Sequence, residues 1–420
     1  MASLAPRSDF PALRPRGSEE LAPAYLDSAC MSLVPQDVLQ AVSEYYTEHP
    51  GCAGRSVHRW AEEVSRRYEE AREVFARFFH APDPEHLVHT RNTTEGINLV
   101  ARGFPFEKGD RVLVSDQEHN SNLVVWQYLA QEKGIRLEIL PLPDDRPFDA
   151  EAFESALAKG VRLVSLFHSS NLDGRTLPAK EIVERAHDHG AEVLFDGSQA
   201  APHEALDLAR LGADYYALSF HKMLGPTGTG LLYGAPGRLE GLAPLLRGGE
   251  TVAWSDYGAH ELLPPPHRFE AGLQNYAGVL GARAAVDYLQ RLGMDRIPAH
   301  HLRLQKQVTG ALQDLPGLRI LGPPRPEDRG SIFAFMLEGV HAHDVAIFLD
   351  EGHGVLVRSG MNCVHSWYRS RGLDGNARAS FYIYTEEKDV ERFIAGVREL
   401  RGHVKLGTAT GSSAPARRAG

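Results

Sequence analysis

The chain has 420 residues, which is long enough for two domains and a large buried core. Apolar residues make up 43% of it and charged residues 24%, the balance of an ordinary globular protein rather than a disordered or fibrous one. The net charge of −10 argues against broad nucleic-acid binding, because such binding needs a basic face to meet phosphate.

The N-terminus and the cysteines indicate the compartment. No apolar run near the N-terminus has the length of a signal peptide, and no stretch of the sequence approaches a membrane span. Cys30, Cys52 and Cys363 are too few for a disulfide framework, and their spacing matches no CxxC metal motif. These features predict a reduced protein of the cytoplasm.

The predicted elements begin with an arm of residues 1–22, which contains proline and arginine and is expected to dock on the body. Residues 59–79 repeat apolar side chains at helical spacing and predict an amphipathic helix. Short β-rich runs follow at 111–116, 161–169, 191–198, 213–220 and 228–234. The first three are almost continuously apolar and alternate with helical segments, which favours buried parallel strands in a doubly wound α/β sheet.

The pattern changes near residue 295, where a long helix is followed by strand, helix, strand and helix. We therefore predict a large domain over residues 23–295 and a smaller α+β domain over residues 296–405. Residues 406–420 are small, polar and proline-containing, a composition that predicts a disordered tail.

Asp196 follows the apolar run VLF and precedes Gly197. In open α/β sheets, ligands bind at the carboxyl ends of the strands. A carboxylate at such a position suits a protonated pyridine nitrogen, because the fixed negative charge keeps the ring cationic. Taken alone, Asp196 is explained equally well as the N-cap of a helix that begins at Gln199.

Lys222 favours the first interpretation. It follows the strand-like run YYALSF and lies 26 residues after Asp196, a spacing of one βαβ unit that brings both residues to the same edge of the sheet. A lysine held in a crowded turn is well placed for a Schiff base with pyridoxal 5′-phosphate (PLP). The turn GPTGTG that follows lacks the residue order of a nucleotide-binding loop.

The phosphate of such a cofactor needs a helix N-terminus with hydroxyl groups nearby. The segment RNTTEGINLV offers Thr93 or Thr94 near the helix cap and Glu95 in the first turn. Ser219 and His221 offer further phosphate contacts beside Lys222. A plain capping motif explains the start of this helix equally well, so both interpretations stay open.

Several motifs together resemble one family. In chain order they are TTEGINLV, EHNSNLVVW, DGSQAAPH, SFHKMLGPTGTG, RFEAG and RSGMNC. The set resembles the class V aminotransferase fold and, more narrowly, the group II (SUF-type) cysteine desulfurases and selenocysteine lyases, from residue 25 to about residue 400. The resemblance implies a PLP-dependent transferase of fold type I, whose large domain has a mostly parallel seven-stranded sheet.

The same resemblance implies roles for individual residues. His119 would stack on the pyridine ring and move protons, while Asn171 and Gln199 would contact the substrate or the cofactor O3′. Arg378 would hold the substrate carboxylate, a task that suits a bidentate guanidinium. Substrate contacts are also expected from three further residues, Arg358, Arg55 and His58.

Cys363 decides the type of reaction. In the family that the chain resembles, a cysteine in a short RxGxxC loop takes sulfur from the substrate, and residues 358–363 keep this spacing. A buried structural cysteine is the alternative, but polar neighbours make burial a poorer explanation. We interpret Cys363 as the nucleophile and regard Cys30 and Cys52 as structural.

The sequence departs from the family pattern at two places. Met361 and Asn362 stand where two histidines usually precede the nucleophile. Leu273 and Gln274 follow FEAG, where the family carries a threonine that reaches the phosphate of a dimer partner. The tuning of Cys363, and whether Gln274 replaces the threonine contact, are therefore open.

Three pairs of histidines suggest metal binding at first sight: His187 and His189, His300 and His301, His341 and His343. None has a third ligand at a suitable spacing, so we predict surface histidines and no metal.

The implied reaction converts L-cysteine to L-alanine and leaves a persulfide on Cys363, which would pass to an acceptor protein such as an iron–sulfur scaffold. The resemblance also implies a homodimer. Two alternatives remain: another class V PLP enzyme, such as a selenocysteine lyase, a C–S lyase or an epimerase, and an inactive scaffold protein of the same fold.

Overall fold

The structure is a computed structural model that describes residues 3–15 and 22–404. The predicted tail, 406–420, lies outside the described residues, as do parts of the predicted arm. Within the described part of the chain, no helix is both long enough and apolar enough to cross a membrane.

The strands of the described residues are β1 (Ala24–Leu26), β2 (Leu87–Thr90), β3 (Arg111–Ser115), β4 (Arg136–Leu140), β5 (Val161–Phe167), β6 (Glu192–Asp196), β7 (Tyr215–Ser219), β8 (Gly230–Gly234), β9 (Val252–Ser255), β10 (His260–Leu262), β11 (Leu318–Ile320), β12 (Ile332–Leu337), β13 (Val355–Gly360) and β14 (Asn376–Ser380). The α-helices are α1 (Gln36–Thr47), α2 (Arg59–Phe78), α3 (Thr93–Gly103), α4 (Val124–Lys133), α5 (Ala150–Leu157), α6 (Ala179–Asp188), α7 (Leu208–Leu211), α8 (Tyr276–Leu292), α9 (Arg296–Leu312), α10 (Ala342–His353), α11 (His365–Ser370) and α12 (Glu387–His403).

The large sheet has seven strands in the order β2-β8-β7-β6-β5-β3-β4. Its neighbouring strands are parallel except at β8, which is antiparallel to both β2 and β7. Both faces of the central strands β6 and β7 are covered, so their side chains are buried almost without interruption. The mostly parallel seven-stranded sheet of the class V fold is therefore confirmed.

The carboxyl ends of β6 and β7 lie side by side and carry the polar residues that the sequence singled out. Asp196 is the last residue of β6, and Ser219 is the last residue of β7. Gly197 follows Asp196 and lets the backbone pass close to Tyr216, because a Cβ there would lie 2.0 Å from the ring of Tyr216.

The second sheet has five strands in the order β1-β13-β14-β12-β11. Strand β1 runs parallel to β13, although the sequence division assigned its residues to the large domain. With only three residues, β1 is too short for its own pattern to indicate its partner. The chain therefore passes from the small sheet to the large sheet between β1 and β2.

The N-terminal segment packs against both parts of the molecule. Arg7 forms an ion pair of 2.6 Å with Asp389 in α12, and the Tyr288 hydroxyl in α8 donates a 2.8 Å hydrogen bond to Asp9. Phe10, in the same segment, is fully buried. The segment thus links the helices of the small sheet to those of the large one.

The expectation of surface histidines is wrong for one pair. His300 and His301 are buried in α9, and the ring of His301 packs against His203 and Tyr382. Burial lowers the pKa of His300 to about 4, so this ring is neutral at pH 7. The other two pairs are exposed. Among the described residues, no three His, Cys, Asp or Glu side chains cluster in a way that could hold a metal ion.

A buried ion pair anchors the RFEAG segment. The guanidinium of Arg72 in α2 donates to both carboxylate oxygens of Glu270 at 2.7 and 2.9 Å, and the backbone N–H of His89 and the hydroxyl of Tyr68 also donate to this carboxylate. Burial would raise the pKa of Glu270, but the Arg72 charge outweighs it and lowers this pKa to about 2.

A Glu270→Gln variant is expected to lose about 3–5 kcal/mol of unfolding free energy, because it removes the buried carboxylate that balances the buried Arg72 charge and leaves only the exposed Glu69 as its ionic partner in the described residues. Since the folded pKa of Glu270 is depressed, its contribution is present above the ordinary glutamate pKa of about 4.3 and is lost as pH falls towards 2. Denaturant unfolding at several pH values measures both effects. Glu69→Gln is the matched control, because Glu69 pairs with the same arginine from an exposed position. Equal losses in the two variants would contradict the prediction.

Candidate active site

A cavity of about 220 Å³ lies at the carboxyl ends of β6 and β7, and side chains from both sheets line it. The structure brings together in this cavity most of the residues that the sequence singled out: Thr93, Thr94, His119, Asn171, Asp196, Gln199, Ser219, His221, Lys222, Arg358, Cys363 and Arg378. It is therefore the candidate active site.

Asp196 and Lys222 form the charged centre of the cavity. Asp196 is 6% exposed, and its Oδ1 accepts a 2.9 Å hydrogen bond from the backbone N–H of Ser198. Lys222 ends the single 3₁₀ turn that follows β7. Burial lowers the pKa of Lys222, while the nearby Asp196 charge acts in the opposite direction. A lowered pKa increases the fraction of neutral amine, which is the form that attacks a carbonyl group.

Hydroxyl groups surround the first turn of α3. The Ser219 hydroxyl accepts from the Thr93 backbone N–H at 2.8 Å and lies 2.7 Å from the Thr93 hydroxyl, which also accepts from the Ser198 hydroxyl at 2.8 Å. Thr94 and Ser121 form a second hydroxyl pair at 2.7 Å. Helix N-termini carry partial positive charge, so this end of the cavity suits a phosphate group.

His119 is held in one orientation. Its Nδ1 accepts a 3.1 Å hydrogen bond from the Ser121 backbone N–H, so the ring proton is on Nε2. Burial, and then the Lys222 charge, lower the pKa of His119 to about 4, so the ring is neutral at pH 7. The preceding Glu118 is buried, accepts from Ser115 and Phe167, and has its pKa raised by burial to about 8.

Arg378 extends from β14 into the cavity and is only 3% exposed. Its Nη1 donates to the Asn171 carbonyl at 2.6 Å, and Nη2 lies 3.6 Å from the Asp27 carboxylate. Its Nε has no hydrogen-bond partner among the residues that the structure describes, and burial lowers the pKa of Arg378. A buried guanidinium with unused donor capacity suits an anionic ligand group.

The Cys363 loop is fastened to the cavity wall on two sides. The Asn171 side chain donates to the Asn362 carbonyl at 2.7 Å, and the Asn120 backbone N–H donates to the Cys363 carbonyl at 2.7 Å. Asn362 and Cys363 both adopt left-handed backbone angles, with φ of 48° and 59°. A non-glycine residue in this region costs about 1 kcal/mol or more, and such strain is concentrated at functional sites.

Two of the residues at the departures from the family pattern, Asn362 and Gln274, make local hydrogen bonds. Asn362 is 8% exposed, and its side chain donates to the Asn376 amide oxygen at 2.5 Å. This bond ties the loop to strand β14. Asparagine also tolerates the left-handed angle better than most residues. Gln274 donates to the carbonyls of Ala271 and Gly272 in its own segment, whereas Leu273 is exposed.

Three predicted site residues do not line the cavity formed by the described residues. Glu95 turns away and accepts hydrogen bonds from Arg91. His58 caps the start of α2, where its Nδ1 accepts from the Ala61 N–H. Arg55 is half-exposed and forms an ion pair with Glu250, before β9.

Sequence reasoning missed several residues of the cavity. Cys30 lines it, although the sequence pattern suggested a structural cysteine. Ser198, Ser121 and Asn92 also line it. Two signals were available: Ser198 stands between Asp196 and the predicted ligand Gln199, and Cys30 directly follows the motif YLDSA.

The comparison with protein families decides the relationship. Residues 24–393 match the aminotransferase class-V family. The chain belongs to this family. The match covers both sheets and all the cavity residues described above, so the class V assignment applies to the whole site.

This class V chain is similar to cysteine desulfurases over most of its length. It is 38% identical to a probable cysteine desulfurase of Halobacterium salinarum over 400 residues, which are 94% of this chain and 95% of the relative. It is 37% identical to a cysteine desulfurase of Dickeya dadantii over 398 residues, covering 94% of this chain and 95% of the relative.

Solved structures of cysteine desulfurases have the same fold as this class V chain. The apo enzyme of Thermococcus onnurineus superposes with a TM-score of 0.90 at 34% identity, covering 96% of this chain and 100% of the other. A cysteine desulfurase of Escherichia coli gives a TM-score of 0.85 at 34% identity, with 94% and 96% covered.

The class V family uses PLP, and the cavity residues fit this cofactor. A partly buried amine and a buried carboxylate, those of Lys222 and Asp196, line one cavity, with hydroxyl groups and a helix N-terminus beside them. The buried Gln199 Oε1 has no hydrogen-bond partner within the described residues, so an acceptor remains for a ligand. His119 offers a neutral, fixed ring to a planar group.

Proposed function

We propose that the protein is a PLP-dependent cysteine desulfurase that converts L-cysteine to L-alanine and keeps the sulfur as a persulfide on Cys363. The observation that carries the proposal is the presence of the Cys363 thiol and the Lys222 amine in one cavity. The cysteine desulfurases that the chain resembles along nearly its full length support it.

Lys222 and Asp196 would hold the ring of the cofactor. Lys222 would hold PLP covalently, and Asp196 would face the ring nitrogen from the end of β6. Thr93, Thr94 and Ser219 would bind the phosphate, with His221 beside them. PLP supplies an electron sink for a deprotonated substrate carbon. Lys222, once free, would take the proton from the substrate Cα, because burial favours its neutral amine.

Three further groups orient the substrate and the ring. Arg378 would bind the substrate carboxylate through its free donor capacity, with Arg358 adding positive charge nearby. His119 would stack on the ring and move protons through Nε2. Gln199 and Asn171 would contact the O3′ atom or the substrate.

Cys363 supplies the nucleophile. Its Sγ would attack the substrate Sγ, the substrate Cβ–Sγ bond would break, and the substrate sulfur would remain on Cys363. Protonation of the released carbon gives L-alanine. Free sulfide does not form in this step.

We further propose a homodimer that works in the cytoplasm and passes its sulfur to an acceptor protein, such as an iron–sulfur scaffold. The exposed apolar residues Trp254 and Tyr257, at the β9–β10 hairpin, and Leu273, in the segment that follows FEAG, support the dimer. Arg55 and His58 contribute to substrate entry in this proposal. Three free cysteines are consistent with a reducing compartment.

The experiment that tests the function measures L-alanine and protein persulfide after addition of L-cysteine, and selenide release after addition of L-selenocysteine. In a single turnover, alanine from cysteine is expected in an amount equal to the protein persulfide plus any sulfide that is released from it. Alanine only from selenocysteine would favour a selenocysteine lyase. Pyruvate without a persulfide on the protein would favour a C–S lyase; one solved structure of this fold, at 24% identity, is a cystine C–S lyase with its product cysteine persulfide. Absence of a visible cofactor band would favour an inactive scaffold.

A further inference from the structure

The cavity contains two thiols, not one. Cys30 and Cys363 both line it, and both are partly buried, whereas Cys52 is exposed elsewhere. The proposed function uses only Cys363. The role of Cys30 is therefore unassigned.

The topology of the small sheet brings the two cysteines together. Strands β1 and β13 are parallel neighbours, and Leu26 in β1 pairs with Val357 in β13. Neighbouring parallel strands lie about 4.8 Å apart. Cys30 follows Leu26 by four residues and Cys363 follows Val357 by six, so both chains leave the sheet at the same edge and enter the same cavity.

Hydrogen bonds hold both cysteines at this edge. The Cys30 N–H donates to the Asp27 carbonyl at 3.0 Å, and the adjacent Ala29 carbonyl accepts from the Gln199 side chain at 2.7 Å. On the other side, the Cys363 carbonyl accepts from the Asn120 N–H. These bonds fix the backbone of both cysteines beside the cavity that their side chains line.

Charged groups of the site also lie near the two thiols. The Lys222 charge interacts with Cys30 and with Cys363, and the Arg378 charge interacts with Cys30. Cys30 therefore lies beside the groups that bind cofactor and substrate, and not behind the cavity wall.

We propose that Cys30 is the resolving thiol for the Cys363 persulfide, an inference that rests on the proposed function. The Cys30 thiolate attacks Cys363 Sγ, the bond between this Sγ and the outer sulfur breaks, and hydrosulfide leaves with the electron pair. The product is a Cys30–Cys363 disulfide. An external thiol, such as a low-molecular-weight thiol or a dithiol protein, reduces this disulfide and restores both cysteines.

The first test needs no turnover. The cofactor-loaded protein is treated with the thiol oxidant diamide, alkylated, digested without reduction and analysed by mass spectrometry. A Cys30–Cys363 cross-linked peptide is expected in the wild type and in Cys52→Ser, and it should be absent in Cys30→Ser. Absence of the cross-link in the wild type overturns the inference, whatever the alanine yield.

The second test uses one equivalent of L-cysteine per site without added reductant. In the wild type, sulfide release and the Cys30–Cys363 disulfide are expected. In Cys30→Ser, alanine should form in the same single turnover, while persulfide on Cys363 should be several-fold higher. Equal persulfide in both proteins overturns the resolving role. If no alanine forms but diamide still produces the cross-link, the proposed function fails and the thiol pair stands.

Discussion

A Lys222→Ala variant is expected to lose the covalent link to PLP and at least about a thousandfold in alanine release from L-cysteine. The reason is that our proposal gives this one side chain two tasks, holding the cofactor and moving the Cα proton. Borohydride reduction of the cofactor-loaded wild type, followed by peptide mapping, should find the phosphopyridoxyl group on Lys222. The variant should yield no labelled peptide.

Two further variants separate the covalent link from general damage. Lys180→Ala is the matched lysine control, because Lys180 is exposed and pairs only with the exposed Glu184 among ionic partners in the described residues. It should keep both the label and the activity. Asp196→Asn should keep the label on Lys222 but release little alanine, since the ring nitrogen loses its charge partner. A label on another lysine of the wild type would refute the assignment of Lys222.

Much of the candidate active site was predictable because its signals are local in sequence. Asp196 and Lys222 each follow a buried apolar run, and such runs form the central strands of a parallel sheet. Ends of neighbouring parallel strands meet at one edge, so the spacing of the two residues was enough to place them in one cavity. The resemblance to the class V family then connected this centre to the Cys363 loop.

The features that escaped prediction depend on contacts between distant parts of the chain. Strand β1 joins β13 across more than three hundred residues, and its three residues carry no pattern that indicates this partner. The position of Cys30 follows from that pairing and was missed for the same reason. Likewise, His300 and His301 look like surface residues until α9 is packed against Tyr382.

A Cys363→Ser variant is expected to bind PLP and L-cysteine as the wild type does, because neither step uses the thiol. Alanine release should fall by at least about a hundredfold, since a neutral hydroxyl is a far poorer nucleophile towards sulfur than a thiolate. The measurement is the rate of alanine formation, together with the absence of persulfide on the protein. Cys52→Ser is the matched control and should retain wild-type activity, because Cys52 is exposed and outside the cavity.

Because Cys30 lines the same cavity, the Cys363 experiment needs a second variant. Residual alanine formation in Cys363→Ser has a second possible source within the same cavity, so a Cys30→Ser/Cys363→Ser double variant should be tested beside it. With L-selenocysteine, both variants should lose much less activity, because selenium can leave without nucleophilic help from the protein. If the double variant keeps full activity with L-cysteine, no thiol of the cavity takes the sulfur. The desulfurase proposal would then be wrong, and a C–S lyase that releases sulfur without a protein persulfide would take its place.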